Sequence, residues 1–258
     1  MKISIITVCY NSSKTIARTI ESVLAQNGVQ LEYLIIDGAS KDDTVAIAEK
    51  YRPQFESKNI SYKVKSEPDK GIYDAMNKGV AVATGDIIGI LNSDDRYASD
   101  DVLSTVFSAF AKCSTETLYG NLLYIKNDKP YRYWRSGNFR TFKHGWMPPH
   151  PAFFVTKAAY QKYGLYRLDC GVNADYEFML RLLEKEKAST CWINKIFVYM
   201  AAGETCDNGI NSRLQGVIDN KIAWKVNDMH PPFYAVYWKK IRKIPQFIIA
   251  KFVKMEIK

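Results

Sequence analysis

Apolar and amphipathic segments alternate over the first ninety residues of the chain. Short apolar, β-branched runs predict buried strands, and apolar residues spaced three or four apart predict helices between them. Regular alternation of this kind predicts a parallel sheet with right-handed crossovers. The predicted strands are Ile3–Cys9, Leu31–Ile36, Ile60–Val64 and Ile87–Leu91, and the predicted helices are Thr15–Gln26, Asp42–Tyr51 and Ile72–Val82.

The second half of the chain has a less regular pattern. Two segments that flank Asn127-Asp128, Leu118–Ile125 and Tyr131–Arg135, predict an antiparallel hairpin. Pro245 is expected to kink the last predicted helix. The further predicted helices are Asp101–Ala111, Asp175–Lys185, Ile210–Asn227 and Pro232–Lys254, and the further strands are Ala152–Val155 and Cys191–Met200.

Charge is concentrated near the end of a chain that is long enough to bury a core. The chain has 258 residues, 47% of them apolar, and a formal net charge of +9. Residues 231–258 contain seven Lys and Arg residues and one acid, Glu256. A basic segment suits an anionic lipid surface or a nucleic acid. No nucleic-acid recognition motif accompanies it, so we expect no nucleic-acid partner.

The same basic segment contains large apolar residues, among them Trp238, Phe247 and Phe252. This mixture predicts a helix that lies on a membrane surface. A helix that packs on the body of the protein, or a dimer contact, is the alternative. No apolar stretch approaches the roughly 18–20 residues that a spanning helix needs.

Cysteine usage and the first residues favour a cytoplasmic protein. The five cysteines are scattered without a C-x-x-C pair, so they predict neither a zinc site nor a redox motif. Reduced thiols in a cytosol are the simplest interpretation. The opening segment is interrupted by polar residues too soon for a signal peptide. We expect a cytoplasmic protein, peripheral on the inner face of the cytoplasmic membrane.

Polar residues follow each predicted strand of the first half. Neither G-x-G-x-x-G nor G-x-x-x-x-G-K-[ST] occurs, which disfavours a dinucleotide dehydrogenase and a P-loop enzyme. The carboxyl ends of strands in an open α/β sheet line one crevice, so these residues should converge on one ligand site. The polar segments are Thr7–Asn11, Asp37–Ser40, Glu67–Gly71 and Asn92–Asp95.

Asp94 and Asp95 are adjacent carboxylates directly after a buried apolar strand. They repel each other and lose hydration there, and a hard divalent cation such as Mg²⁺ or Mn²⁺ resolves that conflict. Substrate phosphates usually complete such a site. The alternative is a helix N-cap and first turn before Asp101–Ala111.

The other polar residues also have two interpretations. Asp37 either ends a strand in a turn or accepts hydrogen bonds from a base or ribose. Thr7 and Asn11 are either strand-end and cap residues or ligand contacts. Asp74 and Lys78, four residues apart on one predicted helix face, are expected to form a solvated surface pair.

Two residues of the second half can carry chemistry. Asp175 begins an amphipathic helix, where its carboxylate either complements the helix dipole or takes part in a reaction. His150 lies within Pro148–Pro151, and a structural role is the ordinary one for a lone histidine.

Taken together, these segments resemble the inverting family-2 glycosyltransferases with the GT-A fold. The resemblance covers about residues 1–200, and it is specific because independent motifs occur in order. The motifs are "ISIITVCYN", "EYLIIDGASKDDT", "SEPDKGIYDAMNKGVAVATGD", "IIGILNSDD", "MPPHPAFFV" and "NADYEFMLRLL". The Q-x-x-R-W motif of processive relatives is absent, so the chain looks like the single-addition enzymes of bacterial polysaccharide assembly.

The resemblance implies roles for individual residues. Asp175 would be the catalytic base, and Asp94 and Asp95 would hold the metal. The residues implied to bind the nucleotide-sugar donor are Thr7, Asn11, Asp37, Lys70, Asn92 and Asp94. The implied cofactor is Mg²⁺ or Mn²⁺.

Two positions depart from the family pattern. Asn92 stands where the first Asp of the family's D-x-D is usual, so one anionic ligand is missing. Either Asp94 or Asp95 would then bind the metal directly. Ala174 stands where a Glu often precedes the catalytic Asp, which leaves Asp175 as the base and Glu177 as a weaker candidate.

The expected fold class is α/β of the GT-A type, with a mostly parallel Rossmann-like sheet, flanking helices and a helical C-terminal appendage. We expect a catalytic domain at 1–205, with a nucleotide-sugar half at 1–98 and an acceptor half at 99–205, and a basic helical extension at 206–258. The expected activity is inverting transfer of one sugar from a nucleotide-diphosphate donor, by resemblance a UDP-sugar, to a lipid-linked glycan. A non-catalytic sugar-nucleotide-binding or scaffold protein and a sugar nucleotidyltransferase are the alternatives.

Overall fold

The computed structural model describes residues 1–202, 218–235, 238 and 241–253. Within them one sheet of nine strands forms the centre of the molecule. Its strand order is β3-β2-β1-β4-β8-β6-β9-β5, with β7 beside β6. The strands are β1 (Lys2–Cys9), β2 (Gln30–Asp37), β3 (Ser61–Ser66), β4 (Ile87–Ile90), β5 (Arg96–Tyr97), β6 (Thr117–Lys126), β7 (Lys129–Trp134), β8 (Phe153–Thr156) and β9 (Thr190–Ala201).

The four predicted strands of the first half are confirmed and are parallel. β1 pairs with β2 on one side and with β4 on the other, and β2 pairs with β3. Successive side chains of a strand point to opposite faces, so Ile3 and Ile5 of β1 pack in one core while Ile6 and Val8 pack in the other. A strand buried on both faces explains the continuous apolar runs of the sequence.

Helices cover both faces of this sheet. The three helices predicted between the first strands are confirmed, although the second ends earlier than predicted, at Glu49. A new helix begins at Arg52, and Pro53 fits its first turn, where a backbone N–H would have no partner within the helix. The helices are α1 (Ile16–Leu24), α2 (Thr44–Glu49), α3 (Arg52–Ser57), α4 (Ile72–Val82), α5 (Val102–Cys113), α6 (Lys157–Tyr163) and α7 (Ala174–Leu180).

The second half makes the sheet mixed. β8 is antiparallel to both β4 and β6, β5 is antiparallel to β9, and β6 and β9 are parallel. The predicted hairpin is confirmed as β6 and β7, joined by Asn127 and Asp128 with φ of 50° and 54°. Positive φ at both central residues is the geometry that two-residue hairpin turns require. The short strand β5 and the helices α3 and α6 were not predicted.

The predicted helix Ile210–Asn227 is confirmed over residues 218–225, and residues 210–217 lie outside the described part. It packs on the body through Trp224, which is buried and donates its ring N–H to the Tyr176 hydroxyl at 2.9 Å. The predicted helix Pro232–Lys254 is interrupted at Arg242 and Lys243, and residues 236, 237, 239, 240 and 254 lie outside the described part.

After that interruption a C-terminal helix, Ile244–Ala250, begins with Pro245 in its first turn. The chain thus breaks its helix next to this proline, where a kink was expected. None of the helices in the described ranges combines the length and the apolar character needed to span a bilayer.

Two of the cysteines meet, although 78 residues separate them. The Sγ atoms of Cys113, at the end of α5, and Cys191, in β9, lie 2.7 Å apart, and both thiols are free. No local pattern in the sequence marks this proximity, since it arises from the packing of α5 against β9. Cys206 lies outside the described residues.

Glu32 of β2 is a buried carboxylate that joins three elements. It accepts hydrogen bonds from the Ser4 hydroxyl at 2.6 Å and from the Thr84 backbone N–H at 2.7 Å, and Lys2 lies 3.6 Å from it. Burial alone would raise the pKa of Glu32, but the hydrogen bonds from Ser4 and Thr84 and the charge of Lys2 outweigh it and lower that pKa.

We predict that Glu32→Gln lowers the free energy of unfolding at pH 7 by about 1–3 kcal/mol. Because the pKa of Glu32 is lower in the folded state, its contribution is present above the unfolded pKa and is lost as the pH falls through the folded pKa. The difference from wild type should therefore shrink at pH 3. Urea unfolding at both pH values measures it, with the exposed Glu56→Gln as the control. Equal losses at the two pH values would contradict this account.

Candidate active site

The loops that follow β1 and β2 are joined by hydrogen bonds at the carboxyl edge of the sheet. Asn11, at φ 50°, donates its backbone N–H to the Ser40 hydroxyl at 2.7 Å, and its side-chain oxygen accepts the Lys41 N–H at 2.9 Å. Asn11 is exposed, so the structure leaves it available to a ligand.

Asp37, at the end of β2, is fully buried. Its carboxylate accepts the Ser40 backbone N–H at 2.9 Å and the Ser66 hydroxyl at 2.6 Å, and the Ser40 hydroxyl is a further donor. These bonds form a turn at the end of β2, which was one of the two interpretations of Asp37. A nucleoside that contacts Asp37 has to replace one of them, so its predicted donor-binding role stays a prediction.

Thr7 is also fully buried, and its hydroxyl accepts a hydrogen bond from the Tyr33 hydroxyl at 2.9 Å. The structure therefore gives Thr7 a place in the core below the loops. Its predicted contact with the donor remains untested.

The segment between β3 and α4 approaches the loop after β2. A side chain at Gly38 would meet the Asp69 carboxylate and force it to move, so glycine allows the two segments their present close approach. Lys70 is exposed, and its backbone N–H donates to Asp74 at 3.0 Å. Lys78 lies 3.2 Å from Asp74, as predicted, and also donates to the Pro68 carbonyl at 2.7 Å. The pair therefore helps to fix the loop that presents Lys70.

The Asn92–Asp95 loop lies beside the loop that follows β1. The hydroxyls of Ser93 and Ser12 are 2.8 Å apart, and the Asp95 carbonyl accepts the Thr19 hydroxyl at 2.7 Å. Asp94 is half-buried and Asp95 is 1% exposed. The structure thus brings the loops after β1, β2, β3 and β4 together in one series of contacts.

Charge is poorly compensated in the Asn92–Asp95 loop. Burial raises the pKa of Asp94, and burial together with the charge of Asp94 raises the pKa of Asp95 well above its usual range. The side-chain oxygens Asn92 Oδ1 and Asp95 Oδ1 are buried and accept no hydrogen bond. Buried oxygens of this kind are normally satisfied, so their presence here needs an explanation.

A hard cation explains both observations. Magnesium and manganese ions take oxygen ligands, and a bound cation removes the repulsion between two carboxylates. Within the described ranges, no group of three or more His, Cys, Asp and Glu side chains is arranged to hold a metal. The residues here fit a cation that takes only part of its ligands from the protein and the rest from substrate phosphates.

Asp175 begins α7 and is half-buried. Tyr73 of α4 lies with its hydroxyl 3.0 Å from Asp175 Oδ1 and 2.9 Å from the Val172 carbonyl, so it can donate to either oxygen. Tyr73 follows closely on the Asp69–Gly71 segment, and this contact joins Asp175 to the loops at the carboxyl edge of the sheet.

The two secondary candidates have structural partners. His150 is buried, its Nε2 lies 3.0 Å from the Tyr166 hydroxyl, and burial lowers its pKa although the charge of Asp175 opposes this. Glu177 is fully buried against Arg181 at 2.8 Å and Asn227 at 3.0 Å. Asp175 is therefore the better placed of the two acids to act as a base.

Three residues at the site were not selected from the sequence. Tyr10 is a 60% exposed aromatic residue beside Gly38. Its exposure directly after a buried strand suggests a ligand contact, and this exposure is visible only in the structure. Tyr73 lies in the segment after β3, where the acidic residues and lysines were the candidates that the sequence offered. Asp219 accepts the Val172 N–H at 3.2 Å and thereby supports the segment before Asp175. No motif in the sequence identifies Asp219.

Known proteins of related sequence are glycosyltransferases. The sequence model described as "Glycosyl transferase family 2" matches residues 4–188. The chain is 36% identical over 189 residues to an uncharacterized glycosyltransferase of Mycobacterium tuberculosis, which covers 69% of this chain and 68% of the relative. It is 27% identical over 204 residues to the PGL/p-HBAD biosynthesis glycosyltransferase of Mycobacterium bovis, with coverage of 75% and 74%.

Solved structures show the same fold. S. aureus TarS in complex with UDP-GlcNAc is similar with a TM-score of 0.71 at 17% identity, over 98% of this chain and 73% of that chain. The mannosyltransferase PcManGT of Pyrobaculum calidifontis, in complex with GDP-Man and Mn²⁺, is similar with a TM-score of 0.67 at 14% identity, over 96% and 73%. At these identities the likeness establishes an α/β fold with a curled mixed sheet.

We predict that Asp95→Asn raises the melting temperature in EDTA, because it removes a buried charge that Asp94 repels. A gain of about 1 kcal/mol corresponds to roughly 2–4 °C for a chain of this size. The same change should abolish the further rise that Mn²⁺ and a nucleoside diphosphate give to the wild type. Differential scanning calorimetry measures both, with the exposed Asp43→Asn as the control. Lower stability in EDTA, or an unchanged response to Mn²⁺, would contradict the cation site.

Proposed function

Because the chain belongs to glycosyl transferase family 2, we propose that it transfers one sugar from a UDP-sugar to a lipid-linked glycan, with inversion at the anomeric carbon. One observation carries the proposal. The loops after four parallel strands contact one another in series, the last of them carries Asp94 and Asp95, and Tyr73, just after the third loop, contacts Asp175. This arrangement offers a place for a diphosphate and, near it, a carboxylate that can accept a proton.

The donor is proposed to lie across the carboxyl ends of β1, β2 and β4. Asn11 and Lys70 are exposed there, and Asp94 is half-buried beside them in the same series of loops. The exposed ring of Tyr10 offers a face on which a base can stack. The structural relatives that were solved with UDP-GlcNAc and GDP-Man support a nucleotide sugar as the donor class.

Asp175 is proposed to act as the general base. It takes the proton of the acceptor hydroxyl while the oxygen forms its bond to the anomeric carbon and the bond from that carbon to the diphosphate breaks. Attack from the face opposite the diphosphate inverts the configuration. The hydrogen bond from Tyr73 holds the carboxylate in place. No general acid is needed, because a nucleoside diphosphate is a good leaving group.

Asp94 and Asp95, with Asn92 beside them, are the residues proposed to hold Mg²⁺ or Mn²⁺. When bound, the cation would neutralise the charge that develops on the departing diphosphate. The unpartnered oxygens of Asn92 and Asp95 support this assignment. The relative solved with Mn²⁺ supports the choice of metal.

We predict that Asp175→Asn keeps donor binding but slows the release of nucleotide by about 10²–10⁴-fold, since a general base contributes that much. The experiment screens UDP-sugars and GDP-sugars for nucleotide release with Mn²⁺ and measures donor binding by thermal shift. Asp169→Asn, exposed on the same segment, is the control and should release nucleotide normally.

The outcomes of this screen separate the alternatives. Release at the wild-type rate by Asp175→Asn would exclude Asp175 as the base. A wild-type protein that binds a donor yet releases nucleotide from none of them, either to water or with a phosphate-linked lipid acceptor present, would be a non-catalytic binding protein. Formation of a nucleotide sugar from a sugar phosphate would identify a nucleotidyltransferase.

We propose that the C-terminal helix rests on the inner face of the cytoplasmic membrane and that the protein is cytoplasmic. Ile244 is 61% exposed, Ile248 60% and Phe252 82%. Lys251 is exposed among them. Apolar side chains mixed with basic ones bind an anionic lipid surface by burial and by charge.

We predict that the protein sediments with vesicles that contain an anionic phospholipid and much less with neutral vesicles. Raising the salt concentration should weaken this binding, because screening shortens the range of the attraction. The double change Ile248→Ser and Phe252→Ser should reduce it, whereas Val82→Ser, which alters an exposed apolar residue of α4, should not. Equal sedimentation with both vesicle types would exclude a charged lipid surface as the partner.

A further inference from the structure

A second concave site is lined by no residue of the Asn92–Asp95 loop and not by Asp175. It is formed by the end of β7, the 145–147 segment and the C-terminal helix. We call it the basic cleft and define it by the residues Trp134, Arg135, Trp146, Arg242, Lys243 and Gln246. None of the residues discussed above as donor or metal ligands lines it.

Three basic side chains collect in the basic cleft. Arg135, Arg242 and Lys243 all line the cleft. Among the residues that the structure describes, no carboxylate forms an ion pair with Arg135 or Arg242. The Arg242 guanidinium instead donates to the His144 carbonyl at 3.4 Å. Guanidinium groups bind phosphate through paired, charge-assisted hydrogen bonds, so the cleft suits a phosphate group.

The surroundings of Arg242 favour an anion further. Burial lowers the pKa of Arg242, and the nearby charge of Arg140 lowers it too. The positive charges of Arg140 and Arg242 therefore repel each other where Arg242 is partly shielded from water. A bound anion would relieve that repulsion.

Neutral groups in the same cleft indicate what accompanies the phosphate. The side-chain oxygen of Gln246 is buried and accepts no hydrogen bond, so it lacks a donor such as a hydroxyl. Trp146 donates its ring N–H to the Ser136 carbonyl at 2.9 Å, which fixes the orientation of its ring in the cleft wall. A free amide oxygen beside cations fits a sugar that carries a phosphate or diphosphate. Trp146 is 3% exposed, so its ring belongs to the packed wall of the cleft.

We propose that the basic cleft binds a sugar phosphate or sugar diphosphate, with Arg135 and Arg242 on the phosphate and Gln246 on a sugar hydroxyl. In the reaction proposed above, which this step builds on, that ligand is the phosphate-linked acceptor. The exposed Ile244 and Ile248 lie on the same helix as Gln246 and give an attached lipid an apolar surface. The same phosphate chemistry is also offered by a free soluble phosphate.

Binding is tested on the full chain with inorganic pyrophosphate as the probe, by isothermal titration calorimetry. EDTA is present, so that no divalent cation can bind pyrophosphate at Asp94 and Asp95. Arg242→Gln and Arg135→Gln should each weaken binding by about tenfold, the loss of one charge-assisted contact. Lys63→Gln, which removes an exposed cation on β3, should leave binding within twofold of wild type.

A second arm distinguishes the two sources of phosphate. If Arg242→Gln also loses binding to phosphatidic acid vesicles while Ile248→Ser retains pyrophosphate binding, the cleft takes a lipid phosphate. If only pyrophosphate binding is lost, the cleft takes a soluble phosphate. Wild-type affinity for pyrophosphate in both arginine variants, or an equal loss in Lys63→Gln, would overturn the proposal.

The test is independent of catalysis. Circular dichroism melts show whether each variant is folded, and the two arginines provide separate chances to observe the effect. Pyrophosphate binding reports on the cleft even if no donor sugar is ever turned over. Hydrolysis of the donor, in which water takes the sugar and nucleotide is released without an acceptor, reports on the donor site and the proposed base alone, so the two ideas can fail separately.

Discussion

The parallel pairing of β1 with both β2 and β4 is the constraint on which the candidate site depends. Its register places Cys9 opposite Asp37 and Ile6 opposite Ile90, so the three strands end at one edge. Only this alignment lets the β1 loop form its hydrogen bonds with the loops after β2 and β4. A slip of one residue would turn each side chain to the other face and separate those loops. The buried hydrogen bonds of Ser4 with Glu32 and of Tyr33 with Thr7 oppose that slip, because it would break both.

The Asn92–Asp95 loop shows how such a scaffold tolerates an unfavourable group. Its backbone is well satisfied, because Thr19 donates to the Asp95 carbonyl and the Asp95 N–H donates to the Asn92 carbonyl at 3.1 Å. Its side-chain oxygens are not satisfied. The cost is therefore confined to atoms that a cation can use, while the loop stays fixed. Buried polar groups without partners are unfavourable for folding, and such exceptions are expected at functional sites.

Most of the fold was predictable because its signals are local. The periods of apolar residues located β1 to β4 and α4, and Asn127-Asp128 located the hairpin. The missed elements lack such signals: β5 has two residues, and α3 depends on Pro53 beginning a new helix. The site was predictable only where residues follow strands, as Asp94 and Asp95 do. Tyr73 meets Asp175 across 102 residues of sequence, and only the packed structure shows that contact.

The residues that hold Asp175 extend past the segment that the family shares. The family match ends at residue 188, yet Asp219 supports the backbone at Val172, and Asn227 binds Glu177 within α7. Gly171, at φ 58°, allows this because a Cβ there would lie 2.8 Å from Asp219 Oδ2. Asp219 and Asn227 therefore support the backbone before Asp175 and the helix that carries it. Since the C-terminal helix that lines the basic cleft follows in the same part of the chain, the proposed base and the proposed acceptor site both depend on residues beyond the family match.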